Sequence, residues 1–259
     1  MKPRFPSVNA LMLKNHNLTT ELLDAVADRL DCRCAIEFLT EVTGGHFYLF
    51  GGAVRRLLLG DEICNDIDVM IPNGDDRAIN ALDRIGVPYR PNSHNHRRYR
   101  WNYLEIDMLQ PRSFYSGFCT VDEALMFFDL KINALALYIH NGRVLDPFGW
   151  FRSGMPADPG INWARWRAMD SSEQIVLAIR LAKVMYENPM LTIAQVDSEM
   201  LSTLILPRIT ASDWSEFRHR FPTGKQAFLR LFHEVVLKRR RHADDVPADK
   251  HSPGKTDAA

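Results

Sequence analysis

The sequence predicts an α+β protein in which strands and helices are mixed in the first part and helices alone fill the second. In the first part, short apolar runs suited to strands are interspersed with stretches whose apolar residues have helical spacing. Residues 151–162 are rich in glycine and proline, as linkers and exposed loops are. From Trp163 onward the apolar spacing is helical. We therefore expect a mixed domain over residues 1–150, a helical domain over 151–237, and a basic tail over 238–259 whose composition predicts disorder.

The individual elements can be placed in order along the chain. A long helical pattern begins near Thr19 and ends at Gly44-Gly45, and Asn73-Gly74-Asp75-Asp76 predicts a turn and a helix cap. Asn141-Gly142 predicts the tight turn of a hairpin. Strands are expected at residues 47–50, 87–90, 96–101, 103–109, 130–140 and up to 145, and further helices at 77–85, 121–128, from 163 onward, 197–205 and 217–236.

Bulk properties predict an ordinary soluble chain. Of its 259 residues, 46% are hydrophobic and 25% charged, and 32 basic residues balance 32 acidic ones. With no global positive field, any nucleic-acid footprint must be local. The chain has no apolar run long enough to span a membrane and no signal-peptide pattern at its start, which favours a cytoplasmic location and no membrane partner. Four cysteines, Cys32, Cys34, Cys64 and Cys119, are scattered and are expected to be reduced thiols.

One stretch, Phe47–Ile71, contains the strongest functional pattern. A buried strand is expected to end at Gly51-Gly52, where the backbone can approach a phosphate closely and the next helix offers free N–H groups. Asp66 and Asp68 then lie in a second strand, and because side chains alternate along a strand they project from the same face. Two carboxylates this close repel each other unless a cation neutralises them, and Mg²⁺ is the cation that such oxygen ligands suit. The stretch therefore indicates phosphoryl or nucleotidyl chemistry.

The same residues resemble a known family. GGAVR followed by Asp66-Ile67-Asp68 is similar to the signature of DNA polymerase β-type nucleotidyltransferases, and within that superfamily to the head domain of bacterial-type (class II) CCA-adding enzymes and poly(A) polymerases. Phe127–Leu137 (FFDLKINALAL) resembles the family's RRDFTINAL motif, and Leu145–Gly149 (LDPFG) resembles its DPFGG motif. The motifs occur in the family's order and extend over residues 47–150. The resemblance implies a polymerase β-like nucleotidyltransferase head, a mixed or antiparallel sheet with flanking helices, followed by a small all-α neck.

The resemblance also implies roles for particular residues. Asp66 and Asp68 would hold two Mg²⁺ or Mn²⁺ ions, with a third carboxylate from the strand over 103–109. Asp107 fits the superfamily pattern and Glu105 fits the closer relatives, and we prefer Asp107 by a narrow margin. Gly51, Gly52 and Arg55 would bind the triphosphate of a nucleoside triphosphate, Asp129 and Asn133 would hold the sugar hydroxyls, and Asp146 would order the end of the head.

Two of these roles have structural alternatives. Arg55 could instead form an ion pair with Asp129 or Glu62. Asn133 could do no more than satisfy the end of a strand.

The chain also departs from the family pattern. Arg56 replaces the acid of the family's VRD, and Phe127 and Phe128 replace two arginines that contact the triphosphate. Residues 171–180 (SSEQIVLAIR) lack the spacing of the family's base-pairing motif, which places base selection in doubt, and we do not expect the domains that clamp tRNA in the family.

Three clusters mix basic and aromatic residues, as surfaces that bind RNA do. They lie at residues 96–101, 163–167 and 238–242. Such runs are equally typical of solvated protein faces, so RNA is a possible partner.

Three functional hypotheses follow. The chain is a nucleotidyltransferase of RNA 3′ ends, related to tRNA nucleotidyltransferases or poly(A) polymerases; or it transfers a nucleotide to a protein or small molecule; or it is a non-catalytic relative that binds nucleotide or RNA. If Arg55 or Arg56 neutralised the candidate metal-binding carboxylates, the third hypothesis would be favoured. The sequence leaves the oligomeric state open.

Overall fold

The computed structural model describes residues 30–59, 66–92, 96–150, 160–188 and 191. Its centre is a mixed sheet of seven strands in the order β3-β4-β5-β2-β1-β6-β7. All neighbouring strands are antiparallel except β2 and β5, which are parallel. The strands are β1 (Tyr48–Phe50), β2 (Asp66–Met70), β3 (Tyr89–Pro91), β4 (Arg97–Trp101), β5 (Leu104–Leu109), β6 (Ala136–Tyr138) and β7 (Arg143–Leu145).

Helices of the described residues flank this sheet, which confirms the predicted α+β class. The first ends where the sequence predicts, since Gly44 and Gly45 both have positive φ angles, of 67° and 76°. The helices are α1 (Leu30–Thr43), α2 (Gly52–Leu59), α3 (Arg77–Arg84), α4 (Pro111–Phe114), α5 (Val121–Met126), α6 (Trp163–Ala168) and α7 (Ser171–Glu187), with one 3₁₀ turn at Lys131–Asn133.

The two faces of the sheet have different partners. On one face, Tyr99 is fully buried and its hydroxyl contacts Asp83 of α3, while Trp101 packs against Phe38 of α1 at a ring distance of 5.2 Å. The other face has an apolar end, where Phe50, Met70, Leu109 and Ala136 pack against α5. Because side chains alternate along a strand, the acids of β2 and β5 share this second face with that apolar cluster.

One predicted strand is wrong over most of its length. Residues 130–140 were expected to form a continuous strand, but only Ala136–Tyr138 does so, and the 3₁₀ turn at Lys131–Asn133 precedes it. Ile132, Ala134 and Leu135 are fully buried in this turn and its exit. An apolar run without alternation reflects burial alone and does not distinguish a strand from a tightly wound turn.

The chain divides into two compact units, residues 1–169 and 170–259. Residues 160–162, expected in the linker, are tied to the first unit: Leu130 and Ile161 form an isolated antiparallel bridge, and Asn162 N–H donates to Asp129 O at 2.9 Å. Helix α6 therefore lies in the first unit, whereas α7 begins the second with Asp170 as its N-cap.

Several expectations fall outside the described residues. They are the beginning of the first helix, the helices over 197–205 and 217–236, the linker over 151–159, Glu62, Cys64, and the tail with its basic cluster. Among the helices that are described, none combines the length and apolar character needed to cross a membrane.

Candidate functional site

The turn between β1 and α2 brings the backbone of Gly51 against an acid of β2. Gly51 has a φ of +66°, and a Cβ added to it would lie 3.2 Å from Oδ2 of Asp68. The turn is held by two backbone hydrogen bonds: Gly51 N–H donates to Leu135 O and Arg55 N–H donates to Gly51 O, both at 3.1 Å. The predicted glycine turn and the predicted acid therefore meet.

The parallel pairing of β2 with β5 aligns four carboxylates. Asp66 is level with Glu105, and Asp68 is level with Asp107. Directly paired residues project from the same face of a sheet, so all four acids lie on one face. Asp66 is exposed, Asp68 is half-buried and Asp107 is buried. The structure thus brings together the two acids of the Asp66-Ile67-Asp68 motif and both candidates for the third carboxylate.

An arginine that sequence analysis did not assign to the site binds both candidates. Arg98 donates to both oxygens of Asp107, from Nε to Oδ1 at 2.7 Å and from Nη2 to Oδ2 at 2.6 Å. Its Nη1 donates to Glu105 Oε2 at 2.9 Å, and Arg90 Nη2 donates to Glu105 Oε1 at 2.8 Å. The hydrogen bonds to Asp107 raise the pKa of Arg98 above its usual value despite burial, which acts in the opposite direction. Arg98 is therefore a fixed cation.

A signal for this arginine was present in the sequence. Strands were expected at 96–101 and 103–109, so the hairpin between them had to be tight. Its turn at Asn102–Tyr103, with Asn102 at a φ of +54°, pairs Trp101 with Leu104. Counting outward from this pair places Arg98 opposite Asp107.

Arg55 and Asn133, which lie 78 residues apart in the chain, meet in the interior. Arg55 Nη1 donates a hydrogen bond to Asn133 Oδ1, and both residues are buried. Of the two ion-pair partners considered for Arg55, Glu62 lies outside the described residues. The contact links the residue expected to bind phosphate with one expected to bind the sugar.

The neighbouring Asp129 is held through its backbone and side chain. Leu130 N–H donates to Asp129 Oδ1 at 2.8 Å. Asn162, which sequence analysis did not single out, donates from Nδ2 to the carbonyls of Met126 and Phe128, each at 2.8 Å. These bonds fix the chain immediately before Asp129. Asp146, by comparison, is buried and accepts a hydrogen bond from Trp150 N–H at 2.9 Å.

The two phenylalanines that replace the family's arginines have different surroundings. Phe128 packs against Phe50 and Phe114, with ring distances of 5.6 and 5.5 Å. Phe127 packs against Phe118, and the guanidinium of Arg165 lies 4.2 Å from the centre of its ring. Phe128 thus contributes to the core, whereas Phe127 binds an arginine of the second basic-aromatic cluster.

Several members of the two described basic-aromatic clusters make contacts within the protein. In the first cluster, Arg97 contacts Asp83 at 2.5 Å and lies over the ring of Tyr89, and Arg98 binds the acids described above. In the second cluster, Trp166 is buried. The third cluster lies outside the described residues.

The acids of β2, Asp66 and Asp68, suit a divalent ion better than Asp107 of β5 does. Asp66 is exposed and Asp68 is half-buried, and their carboxylates lie on one face of the sheet, which suits Mg²⁺ or Mn²⁺. Asp107 presents both of its oxygens to Arg98 instead. Within the described ranges, no three or more His, Cys, Asp or Glu side chains are grouped so that they could hold a metal ion.

Comparisons with known proteins found structural likeness alone. No protein-family model matches the chain, and no curated protein matches it. A CCA-adding enzyme in complex with ATP is 17% identical, with a TM-score of 0.62 over 82% of this chain and 54% of that one. The same kind of enzyme with CTP is 18% identical, with a TM-score of 0.62 over 86% and 55%. A tRNA nucleotidyltransferase complexed with a primer tRNA and an incoming ATP analogue is 19% identical, with a TM-score of 0.50 over 76% and 57%.

The chain spans little more than half the length of these solved structures. At identities this low the likeness concerns the fold, and it agrees with the mixed sheet and the glycine turn described above. The chain therefore shares its fold with the solved CCA-adding enzyme and tRNA nucleotidyltransferase structures over the part that they match.

Proposed function

We propose that the protein is a metal-dependent nucleotidyltransferase that moves a nucleoside monophosphate from a nucleoside triphosphate to the 3′ hydroxyl of an RNA. The supporting observation is the contact between the Gly51 turn and Asp68, with Asp66 on the same face. It joins a backbone suited to phosphate with carboxylates suited to Mg²⁺ or Mn²⁺. ATP, CTP and tRNA appear in the structures that share the fold, which supports a nucleotide substrate and an RNA acceptor.

Each residue of the site would have its own role in the reaction. Asp66 and Asp68 would hold the divalent ion, which when bound lowers the pKa of the attacking hydroxyl and stabilises phosphate charge. The N–H groups at Gly51 and Gly52 and the guanidinium of Arg55 would orient the triphosphate.

The sugar would be held by Asp129 and Asn133, which lie in the Phe127–Leu137 motif. Asn133 is buried against Arg55 and so would be aligned with the triphosphate, and Asp129 would accept hydrogen bonds from the sugar hydroxyls. Both side chains select for a sugar by hydrogen bonding and take no part in bond breaking.

The transfer itself would conserve atoms and charge in one displacement. The acceptor oxygen forms a bond to the α-phosphorus, and the bond from that phosphorus to the oxygen shared with the β-phosphate breaks. Pyrophosphate leaves with this bonding electron pair, and the proton of the acceptor hydroxyl passes to solvent, to which Asp66 is exposed.

A second candidate is a non-catalytic relative that binds a nucleotide or RNA. It is favoured by the ion pairs of Arg98 and Arg90, which neutralise Asp107 and Glu105. The sequence suggested that neutralisation of the acids by Arg55 or Arg56 would favour such a protein, and here Arg90 of β3 and Arg98 of β4 pair with the acids of β5. The contact of Asp68 with the Gly51 turn joins a carboxylate to a backbone suited to phosphate, so we place the enzyme first.

The test is transfer of label from each of the four α-labelled nucleoside triphosphates, with Mg²⁺ or Mn²⁺, to the molecules of a cell extract. The variant Asp66→Asn/Asp68→Asn should lose transfer by about 100-fold or more, because metal ligation contributes several kcal/mol to catalysis. Glu41→Gln/Asp122→Asn removes two exposed carboxylates elsewhere and serves as the control for charge.

Each outcome assigns the function. Label on RNA that depends on Asp66 and Asp68 supports the proposal and identifies the nucleotide. Label on a protein or small molecule would show that the acceptor is not RNA. Absence of label that depends on Asp66 and Asp68 would favour the non-catalytic binding protein.

A further inference from the structure

The turn between β4 and β5 presents an arginine and a tyrosine to which no role has been assigned above. Arg100, a member of the first basic-aromatic cluster, is exposed, and its Nε donates to the carbonyl of Asn102 at 3.3 Å. Within the described residues no carboxylate contacts its guanidinium, in contrast to that of Arg98. Tyr103 is 82% exposed, and its ring packs against no other aromatic ring in the described part of the chain. We call Arg100 and Tyr103 the hairpin tip.

Strand pairing places Arg100 in one row with two acids of the candidate site. Arg100 pairs with Glu105 across β4 and β5, and Glu105 pairs with Asp66 across β5 and β2. Directly paired residues project from one face of a sheet, so Arg100 lies on the face of the acids. Since neighbouring strands are about 4.8 Å apart, the backbones of Arg100 and Asp66 are separated by about 10 Å. The hairpin tip therefore borders the acids on their β4 side.

The Gly51 turn lies on the other side of the acids. It follows β1, and the strand order β4-β5-β2-β1 places β1 and β4 on opposite sides of the two acidic strands. In a phosphoryl transfer the attacking and leaving oxygens lie roughly in line, on opposite sides of the phosphorus. A triphosphate held at the Gly51 turn puts the leaving pyrophosphate on the β1 side. The acceptor hydroxyl then approaches from the side of β5 and β4, where the hairpin tip lies.

The side chains of the hairpin tip have the chemistry of single-strand binding. A guanidinium pairs with a backbone phosphate, and an exposed aromatic ring stacks on a base of any sequence. The turn between them is tight, with Asn102 at a φ of +54°, so the charge and the ring are held close together. The other arginines of β3 and β4 have carboxylate partners, and these are Arg90, Arg97 and Arg98. Arg100 is thus the arginine of these strands whose charge remains for a phosphate.

We infer that the hairpin tip binds the 3′-terminal strand of the acceptor RNA, with Arg100 on a backbone phosphate and the ring of Tyr103 on a base. Neither side chain contacts the reacting atoms. Both position the strand so that its terminal hydroxyl reaches the acids. The inference rests on the proposed function for the direction from which the acceptor approaches, and it adds the surface that holds the acceptor.

The inference is tested by RNA binding without turnover. Full-length protein with Mg²⁺ and no nucleoside triphosphate is titrated against a short labelled single-stranded RNA, and fluorescence anisotropy gives the affinity at several salt concentrations. Arg100→Gln should weaken binding and reduce the magnitude of the salt slope by about 0.7, the contribution of one phosphate contact in a single strand. Tyr103→Ala should weaken binding by about fivefold or more at an unchanged slope, because it removes one base-stacking contact.

Conservative variants and a matched charge control accompany these two. Arg100→Lys keeps the charge and should keep the slope, and Tyr103→Phe keeps the ring and should bind within about twofold of wild type. Arg84→Gln removes an exposed arginine of α3, which packs on the opposite face of the sheet, and should change neither affinity nor slope. Cooperative thermal unfolding of each variant establishes that it is folded.

The transfer reaction gives a second readout. Arg100→Gln should raise KM for the RNA and leave KM for the nucleoside triphosphate unchanged, because the hairpin tip lies on the acceptor side of the acids. A raised KM for the nucleoside triphosphate would contradict this placement.

The outcomes separate this inference from the proposed function. An unchanged affinity in Arg100→Gln or Tyr103→Ala, or an equal loss in Arg84→Gln, would overturn the inference and leave the proposed enzyme intact. Absence of RNA binding by the wild-type protein would overturn the inference whatever molecule accepts the label. RNA binding that depends on the hairpin tip, in a protein that transfers no label, would support the binding surface and remove the enzyme.

Discussion

Gly51 is the residue at which backbone conformation and acid placement depend on each other. Its φ of +66° lies in the left-handed region, which side chains other than hydrogen disfavour. The same position has no space for a Cβ without moving Asp68 Oδ2, which would lie 3.2 Å away. Glycine is therefore needed here both for the turn and for the carboxylate beside it.

We predict that Gly51→Ala destabilises the fold by about 1–2 kcal/mol and also lowers nucleotide transfer. The first effect comes from the backbone and the second from displacement of Asp68. The measurements are urea unfolding and initial rates of label transfer.

Gly74→Ala provides the matched control. Gly74 has a φ of +79°, and a Cβ there would have nothing within 4 Å. It should destabilise the protein to a similar extent while leaving transfer unchanged. Equal losses of transfer in the two variants would show that the contact with Asp68 is irrelevant.

At the scale of elements, strand pairing decides which charges meet. Adjacent β2 and β5 put their acids in register, and β4 contributes Arg98 on the same face. On the opposite face of β4, Tyr99 and Arg97 bind Asp83 and so attach α3 to the sheet. One face of β4 thus contributes to the candidate site, and the other face contributes to the core.

The contact between β4 and α3 predicts a dependence on pH. Tyr99 donates to Asp83 Oδ1 at 2.7 Å, and this hydrogen bond is the largest cause of the lowered pKa of Asp83. Burial in turn raises the pKa of Tyr99 to about 12, so the hydroxyl stays protonated at neutral pH. Because the folded pKa of Asp83 is lowered, its stabilisation is present above the unfolded pKa of about 3.9 and is lost as pH falls through the folded pKa.

Tyr99→Phe should therefore raise the pKa of Asp83 toward its ordinary value, as measured by NMR titration of the carboxyl carbon. The loss of unfolding free energy in this variant should be larger at neutral pH than in acid. Tyr103→Phe, at a side chain that is 82% exposed, is the control and should leave both quantities unchanged. An unchanged pKa of Asp83 in Tyr99→Phe would contradict the assigned cause.

At the scale of the whole molecule, basic and acidic residues are equal in number, and three arginines of the β3–β4 hairpin form ion pairs. The chain has 32 basic and 32 acidic residues, and Arg90, Arg97 and Arg98 of the β3–β4 hairpin are all paired with acids. Their charges are thus compensated within the protein. This hairpin therefore has little positive charge left for RNA phosphates, and we expect the electrostatic part of any RNA affinity to come from few phosphate contacts.

We predict a shallow salt dependence for binding of a short labelled single-stranded RNA. The slope of log affinity against log salt concentration should be about −2, since each phosphate contact contributes about −0.7 for a single strand. Fluorescence anisotropy across a series of salt concentrations would measure it. A slope steeper than about −4 would show an extended basic surface and contradict the prediction.

Much of the fold was predictable because its signals are local. The glycine turn, the alternation that puts Asp66 and Asp68 on one face, and the hairpin at Asn141-Gly142 depend on neighbouring residues alone. The strand expected over 130–140 was wrong for a related reason: local hydrophobicity reports burial but not backbone conformation. The roles of the site residues remain predictions, which the experiments above address.

The sequence by itself determined the fold class, most of the strands and the residue types of a candidate site, because periodicity and turn chemistry are short-range properties. Only the tertiary structure decided which residues distant in the chain come together. Asp68 meets Gly51, and Asn133 meets Arg55. These contacts depend on the order of elements that lie apart in the chain, and a side chain's partner is known only once that order and register are known.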